Sequence, residues 1–282
     1  MSGTLYLCAT PIGNLEDITY RVVRTLKEVD LIAAEDTRVS GKLLKHFEIQ
    51  TPMMSYHEHN KASKGPVLIQ KLLEGIQIAL ISDAGTPGIS DPGEELVRLC
   101  YDAGITVSSL PGACACITAL TLSGLSTRSF AYEGFLPMFK KEREVVLTRI
   151  SQEERTMVFY EAPHRIVKTL TTLCDVLGDR KVSICRELTK LYETAWLTTF
   201  TEAIVTYTLQ APKGECVIVV EGLDIQERAL TDIKRWQEEP LVEHMEFYLT
   251  QGFDKKEAMK QVAKDRGVSR RDVYNELIKD ES

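Results

Sequence analysis

Residues 76–93, IQIALISDAGTPGISDPG, hold a short apolar run that opens directly into a loop dense in glycine and proline. Residues 76–81, apolar except for Gln77, have the length and apolarity of a strand buried on both faces, the kind found in parallel sheets covered by helices. At the far end of the loop, Asp91-Pro92-Gly93-Glu94 reads as a helix start. Asp91 is expected to cap it, Pro92 suits the first turn, and Glu94 is expected to bond back and close a capping box. Gly104 should stop that helix. A strand, a loop and a helix in this order form one βα unit.

The same grammar extends in both directions. Apolar runs at 5–9, 31–34 and 105–110 read as further strands, and between the first two Ile18, Val22, Val23, Leu26 and Val29 recur at helical spacing. Alternating βα units imply a mostly parallel sheet. A second series follows at 129–133, 156–160, 181–185 and 215–221, with a further strand in LYETAWLTT, 191–199, and a helix at 201–209. Two strands in succession make this half mixed rather than purely parallel. After Gly222 no strand candidate remains. Asp254 with Glu257, and Ser269 with Asp272, open two short helices separated by Gly267, expected to meet at a tight turn. The expected fold class is therefore α/β, with a lobe at 1–115, a second at 116–225, and a helical tail at 226–282 that resembles a helix-turn-helix.

Composition narrows the function classes. The 282 residues are 44% hydrophobic, enough for a large core. No apolar run reaches the roughly 20 residues of a membrane span, and MSGTLYLCATPIG lacks a signal peptide's basic start, so a cytoplasmic protein without membrane association is expected. The seven cysteines are scattered without zinc-type spacing, which reads as reduced, buried thiols. His57-Glu58-His59 offers two alternating ligands and no third, and no metal is expected. A net charge of −7 argues against nonspecific coating of nucleic acid. Residues 254–271 run the other way, with seven basic side chains against three acidic, a local excess of +4 that reads either as a solvated helix surface or as a contact for RNA backbone.

Ligands of open α/β sheets bind at the strand ends, so the loops after the apolar runs are where chemistry is expected. Three of them, Thr10 to Asn14, Ser82 to Gly93 and Leu110 to Ala115, combine glycine, which admits a ligand close to the backbone, with proline, which stiffens the loop. They match neither a GxxxxGK[ST] nor a GxGxxG phosphate cradle.

Eight ordered strings, TPIGNLEDIT (10–19), AAEDTR (33–38), SYHEHN (55–60), SDAGTPGISDPG (82–93), YEGFLP (132–137), FYEAPHR (159–165), RELTK (186–190) and KGE (213–215), resemble the ribosomal RNA methyltransferases of the tetrapyrrole methylase superfamily. The resemblance covers about residues 4–222. It implies two α/β lobes of the class III methyltransferase type, S-adenosylmethionine folded into the cleft between them, and a homodimer. It further implies methylation of a cytidine ribose 2′-hydroxyl in the decoding region of 16S rRNA, with the small ribosomal subunit as partner. Carried over by position, the cofactor contacts fall on Pro11, on Ala84, Gly85, Thr86 and Ile89, on Cys114 and Ala115, and on Glu161 and Gly214. Thr86 stands where the superfamily usually has the aspartate of a GGDP string, so Asp83 becomes the acidic candidate. PGACA likewise departs from the PGP-type third loop.

A ribose hydroxyl is a very weak acid, and a positioned base contributes roughly 10²–10⁴-fold. Candidates are Glu35 and Asp36 beside Arg38, His57, His59, His164 beside Arg165, and Glu187 beside Arg186. An arginine–carboxylate neighbour pair is more often a structural ion pair, and Arg38, Arg165 and Arg186 read alternatively as holders of substrate phosphates. Two other readings stay open at this point: a tetrapyrrole or protein methyltransferase of the same superfamily, and a DNA-binding regulator that uses the C-terminal helices.

Overall fold

The computed structural model describes residues 2–224 and 239–280. These form two compact units, one of residues 1–151 with 155–221 and the other of 152–154 with 222–282.

The larger unit contains two five-stranded sheets. The first has the order β3-β2-β4-β1-β5 and is parallel throughout, with β1 Thr4–Cys8, β2 Leu31–Ala34, β3 Met53–Ser55, β4 Ile78–Ile81 and β5 Thr106–Leu110. Every residue of β4 is buried, as its unbroken apolar run requires. Helices α1 Tyr20–Glu28, α2 Thr37–His46, α3 Lys61–Leu73 and α4 Gly93–Asp102 make the crossovers. Buried Val22, Leu26 and Leu44 pack one face of the sheet, and Leu68, Leu72 and Leu96 the other.

Asp91 does anchor the entry to α4, but by a different route from the one its sequence suggests. Its Oδ1 accepts the Gly93 N–H at 2.7 Å, and its second partner is the Gly88 N–H at 2.8–2.9 Å rather than a bond returned by Glu94. The carboxylate thereby closes the long loop on itself. Gly104, at φ +66°, terminates α4 as expected.

After α5, Ala115–Leu122, the chain enters the second sheet. Its order is β6-β7-β10-β8-β9, formed by β6 Phe130–Phe135, β7 Thr156–Glu161, β8 Lys181–Arg186, β9 Thr194–Thr199 and β10 Cys216–Val220. Only β6 and β7 run parallel; β10 lies antiparallel between β7 and β8, and β9 is antiparallel to β8. Helices α6 Lys140–Ile150, α7 Ile166–Leu177 and α8 Phe200–Leu209 complete this half. Its core holds Phe159, Leu170, Leu173, Phe200 and Ile218. On the other side of the sheet, Cys116, Ala119 and Leu120 of α5 pack with Val158, Val217 and Val219, and Ile12 from the loop after β1 joins them. That cluster positions the first sheet's loops against the second sheet.

The smaller unit carries α9 Leu241–Thr250, α10 Lys255–Arg266 and α11 Arg270–Asp280 around Leu241, Met245, Ala258, Val262 and Val273. The capping box of Asp254 with Glu257 is present, Gly267 takes the left-handed conformation at φ +66°, and Ser269 exchanges hydrogen bonds with Asp272. Arg266 and Asp265 turn inward to buried His244, while the other six basic residues of 254–271 are exposed. Residues 225–238, at the start of the expected tail, lie outside the described residues. Among the described residues no helix is long and apolar enough to cross a membrane.

Candidate cofactor and acceptor site

A cavity of about 350 Å³ opens where the loops of the first sheet meet the strand ends of the second. From the first half it is lined by Ile12, by Ala84, Gly85, Thr86 and Ile89 of the loop after β4, and by Cys114 and Ala115 at the start of α5. The second half supplies Phe135, Tyr160, Glu161, Leu188, Glu215 and Val217, among others.

The loops are tied together by hydrogen bonds that use few side chains. Thr10 and Gly85 exchange backbone bonds at 2.9 and 3.1 Å. Thr86 Oγ1 donates to the Ala113 carbonyl at 2.9 Å, joining the second loop to the third. The Cys116 N–H donates to the Tyr160 hydroxyl at 3.0 Å and so joins the third loop to β7. Gly85 sits at φ +84°, a left-handed backbone natural to glycine, and a Cβ there would lie 3.2 Å from Ile12 Cγ2.

Of the positions expected to hold a cofactor, Ala84, Gly85, Thr86, Ile89, Cys114, Ala115 and Glu161 line this one cavity. Pro11 and Asp83 line a neighbouring cavity of about 370 Å³, with Ser40, Lys42 and His46 of α2. Gly214 lines neither; a Cβ on it would lie 2.0 Å from Glu187 Oε1, so its lack of a side chain makes room for that carboxylate. Phe135, Tyr160, Leu188 and Val217 went unread in the sequence because an apolar residue at a strand end looks like core.

The candidates for proton transfer separate by environment. Asp36 caps α2 through the Arg38 N–H at 2.8 Å and is gripped by the Arg38 guanidinium at 2.6–3.0 Å, which holds its carboxyl well below the usual range. Glu35, its neighbour, is pushed upward, first by burial and then by the nearby charges of Asp83 and Asp91. Its Oε2 accepts the Asp83 N–H at 3.3 Å, and Asp83 Oδ1 accepts the Asp36 N–H at 3.0 Å. The ends of β2 and β4 are thus laced together by carboxylates. His57 stands near Glu35 with its Nε2 3.1 Å from the Asn60 amide and its Nδ1 buried without a hydrogen-bond partner, and the His59 ring centroid lies 6.0 Å from that of His57.

In the second half, Glu161 is buried on the cavity wall. It accepts the Ala162 N–H at 2.7 Å, a hydroxyl bond from Thr169, and Arg165 Nε at 3.4 Å. His164 is exposed beside it. Glu187 pairs not with its neighbour Arg186 but with Lys190 Nζ at 3.1 Å, which lowers its carboxyl, and Lys190 bridges on to Glu215 at 3.0 Å.

A cavity of this size falls within the roughly 300–1,000 Å³ of small-molecule sites. Its backbone-rich first wall, and a second wall that sets apolar side chains beside the carboxylates of Glu161 and Glu215, suit a ligand with an amino-acid end and a flat heteroaromatic end.

Known proteins resemble this architecture at two levels. A model of the tetrapyrrole (corrin/porphyrin) methylases matches residues 4–204. "Ribosomal RNA small subunit methyltransferase I" of Halalkalibacterium halodurans is 53% identical, with 97% of this chain and 94% of that protein aligned. Its namesake from Synechocystis is 48% identical over 96% of each chain. Among solved structures, a uroporphyrin-III C-methyltransferase from Thermus thermophilus superposes with a TM-score of 0.57 at 19% identity, covering 78% of this chain and 94% of its own. Identity this low speaks for the fold alone, but the family match and the full-length relatives go further: the chain belongs to the tetrapyrrole methylase family.

Proposed function

We propose that the protein transfers a methyl group from S-adenosylmethionine to the 2′-hydroxyl of a cytidine in the decoding region of 16S rRNA, acting in the cytoplasm as a homodimer on the small ribosomal subunit. The observation that carries this reading is the cavity built by the three glycine- and proline-bearing loops, in a chain whose full-length relatives are named for ribosomal RNA small-subunit methylation.

The cofactor, when bound, supplies an electrophilic methyl group on a positively charged sulfur. Ala84, Gly85, Thr86, Ile89, Cys114, Ala115 and Glu161 are the residues we assign to hold it. The small side chains at 84, 85 and 115 leave the backbone open to polar contacts. Ile12, Leu188 and Val217 supply an apolar wall that limits water, which strengthens polar interactions within. Pro11, Asp83 and Gly214 act beside the cavity, by holding the loops in shape.

For the acceptor's proton we assign Glu35. Neighbouring carboxylates with opposed environments divide their roles, and the one kept less acidic is the better base. Asp36, held down by Arg38, serves as a structural cap. The carboxylates Glu161 and Glu187 are already engaged by Arg165 and Lys190. His57 sits close enough to Glu35 to lower its carboxyl and so to favour the charged, proton-accepting form.

The test is methyl transfer from labelled cofactor to small subunits purified from cells lacking the protein, followed by nuclease digestion and nucleoside mass spectrometry. Label on 2′-O-methylcytidine is expected. Label on a base, on protein or on a tetrapyrrole would overturn the reading.

A further inference from the structure

Outside the cofactor cavity, a second concavity of about 260 Å³ is lined by Leu136, Met138, Arg143, His164, Arg165, Lys168, Thr169 and Thr172. Its chemistry is one-sided. Four of the eight are cationic or capable of becoming so, two are hydroxyls, and none is a carboxylate.

Two of the cations are fixed by backbone carbonyls. Arg143 Nη1 donates to Pro137 and Met138 at 3.2 and 2.9 Å, and Arg165 Nη2 to Leu136 at 3.0 Å. Their guanidinium planes are therefore set in place before any ligand arrives, with part of the donor fork left over. Lys168 and His164 are exposed and make no side-chain bond to any described residue. Buried Glu161 lies against Arg165 and offsets part of its charge.

The concavity shares its walls with the cofactor cavity. Phe135 faces the cofactor cavity while the next residue, Leu136, faces the basic one; Pro163 and His164 divide in the same way. The two concavities therefore adjoin, divided by the same two short chain segments. At the rim, Met138 and Phe139 are 76% and 73% exposed, large apolar side chains that nothing in the larger unit covers.

We propose that this concavity seats a backbone phosphate of the RNA strand next to the methyl-accepting nucleotide, with Phe139 and Met138 as a platform on which the adjoining base stacks. The assignment rests on the functional reading above. Preset guanidinium donors and free cations match a phosphate in geometry and charge, and exposed apolar faces beside them match an unpaired base. A free phosphate would use only the first. An RNA strand uses both, and it accounts for how an acidic protein binds RNA: through local basic clusters such as this one, not through overall charge.

The experiment compares wild-type protein with Lys168→Ala and Phe139→Ala, both at exposed positions, on small subunits from cells lacking the enzyme. Each variant should raise KM for the subunit on the order of tenfold. Lys168→Ala should also flatten the slope of log affinity against log salt by about 0.7, one single-strand phosphate contact, whereas Phe139→Ala should leave the slope unchanged. Cofactor affinity, read by calorimetry, should equal wild type in both, which also certifies folding. Unchanged KM and salt slope in Lys168→Ala would overturn the phosphate assignment while wild-type methylation of the subunit upholds the functional reading. A wild-type protein that methylates no small subunit would overturn both.

Discussion

Cys114 Sγ lies 3.4 Å from Cys116 Sγ, and Cys114 lines the cavity we assign to the cofactor. The hydrogen bond from Cys116, with support from nearby backbone N–H groups and Thr86, lowers the Cys114 thiol below its ordinary range and raises that of Cys116. Burial pushes Cys100, Cys185 and Cys216 up to about 11. A lowered thiol forms thiolate at lower pH, so iodoacetamide near pH 7 should label Cys114 on the order of tenfold faster than any of those three. Peptide mass spectrometry reads the sites. Saturating S-adenosylmethionine should slow the labelling of Cys114; equal labelling with and without it would detach this residue from the cofactor site.

Filling the cavity from its rigid side should remove cofactor binding without unfolding the protein. Ala115 opens α5 and faces the cavity, and leucine is a good helix former, so Ala115→Leu should fold while weakening cofactor affinity on the order of 100-fold or more. Gly85→Val should abolish binding as well, at a cost in stability from the left-handed backbone it must adopt. Calorimetric titration measures the first and thermal melting the second. Wild-type affinity in Ala115→Leu would refute the cavity assignment.

Glu35→Gln separates chemistry from stability. If Glu35 takes the acceptor's proton, kcat should fall roughly 10²–10⁴-fold. Stability should move the other way. The folded environment raises the Glu35 pKa, so its favourable contribution is present below the ordinary carboxyl value of 4.5 and is lost as pH rises through the folded value. The neutral glutamine escapes that loss. Its melting temperature should therefore exceed wild type by ~2 °C at pH 7.5, a gain that disappears near pH 4. A variant less stable than wild type at pH 7.5 would contradict the sign.

The helical unit has its own buried residues, Leu241, Met245, Ala258 and Val262, and exposes six basic side chains between Lys255 and Arg271. Removing residues 226–282 should weaken binding to the small subunit, with a shallower salt dependence, and leave cofactor affinity nearly intact. Loss of cofactor binding on truncation would mean that the tail belongs to the catalytic fold.

How far the sequence could be read depended on how local each determinant was. The run at Ile78–Ile81 and the loop behind it were legible because burial on both faces and glycine–proline chemistry are written in consecutive residues. The capping box of Asp254 with Glu257 was legible for the same reason. β3, Met53–Ser55, was missed: three half-buried residues at a sheet edge leave no periodicity to detect. Asp91 turned back to Gly88 rather than joining Glu94 because the partner was fixed by loop closure, not by spacing. Glu187, at φ +49°, turns the chain sharply after β8 and brings Lys190 back over its carboxylate, so its ion pair could not be read from its neighbour Arg186. Of the cavity's second wall only Glu161 was read in the sequence; the rest escaped notice, since Tyr160 and Val217 become ligand-facing only when a distant loop covers them.

The place of β10 in the second sheet has a consequence for synthesis. The five strands of the first sheet are all present once residue 110 has been made, whereas β10, Cys216–Val220, is the last strand of the second sheet and occupies its centre. Until it arrives, β6-β7 and β8-β9 are two separate ribbons, each with an open edge at β7 and β8. Pairings this distant close slowly, and open edges invite association between chains. A nascent chain stalled before residue 216 thus carries a finished first sheet and an unfinished second one, and the cofactor cavity, which draws on Glu215, Cys216 and Val217, comes into being only when that strand slots home.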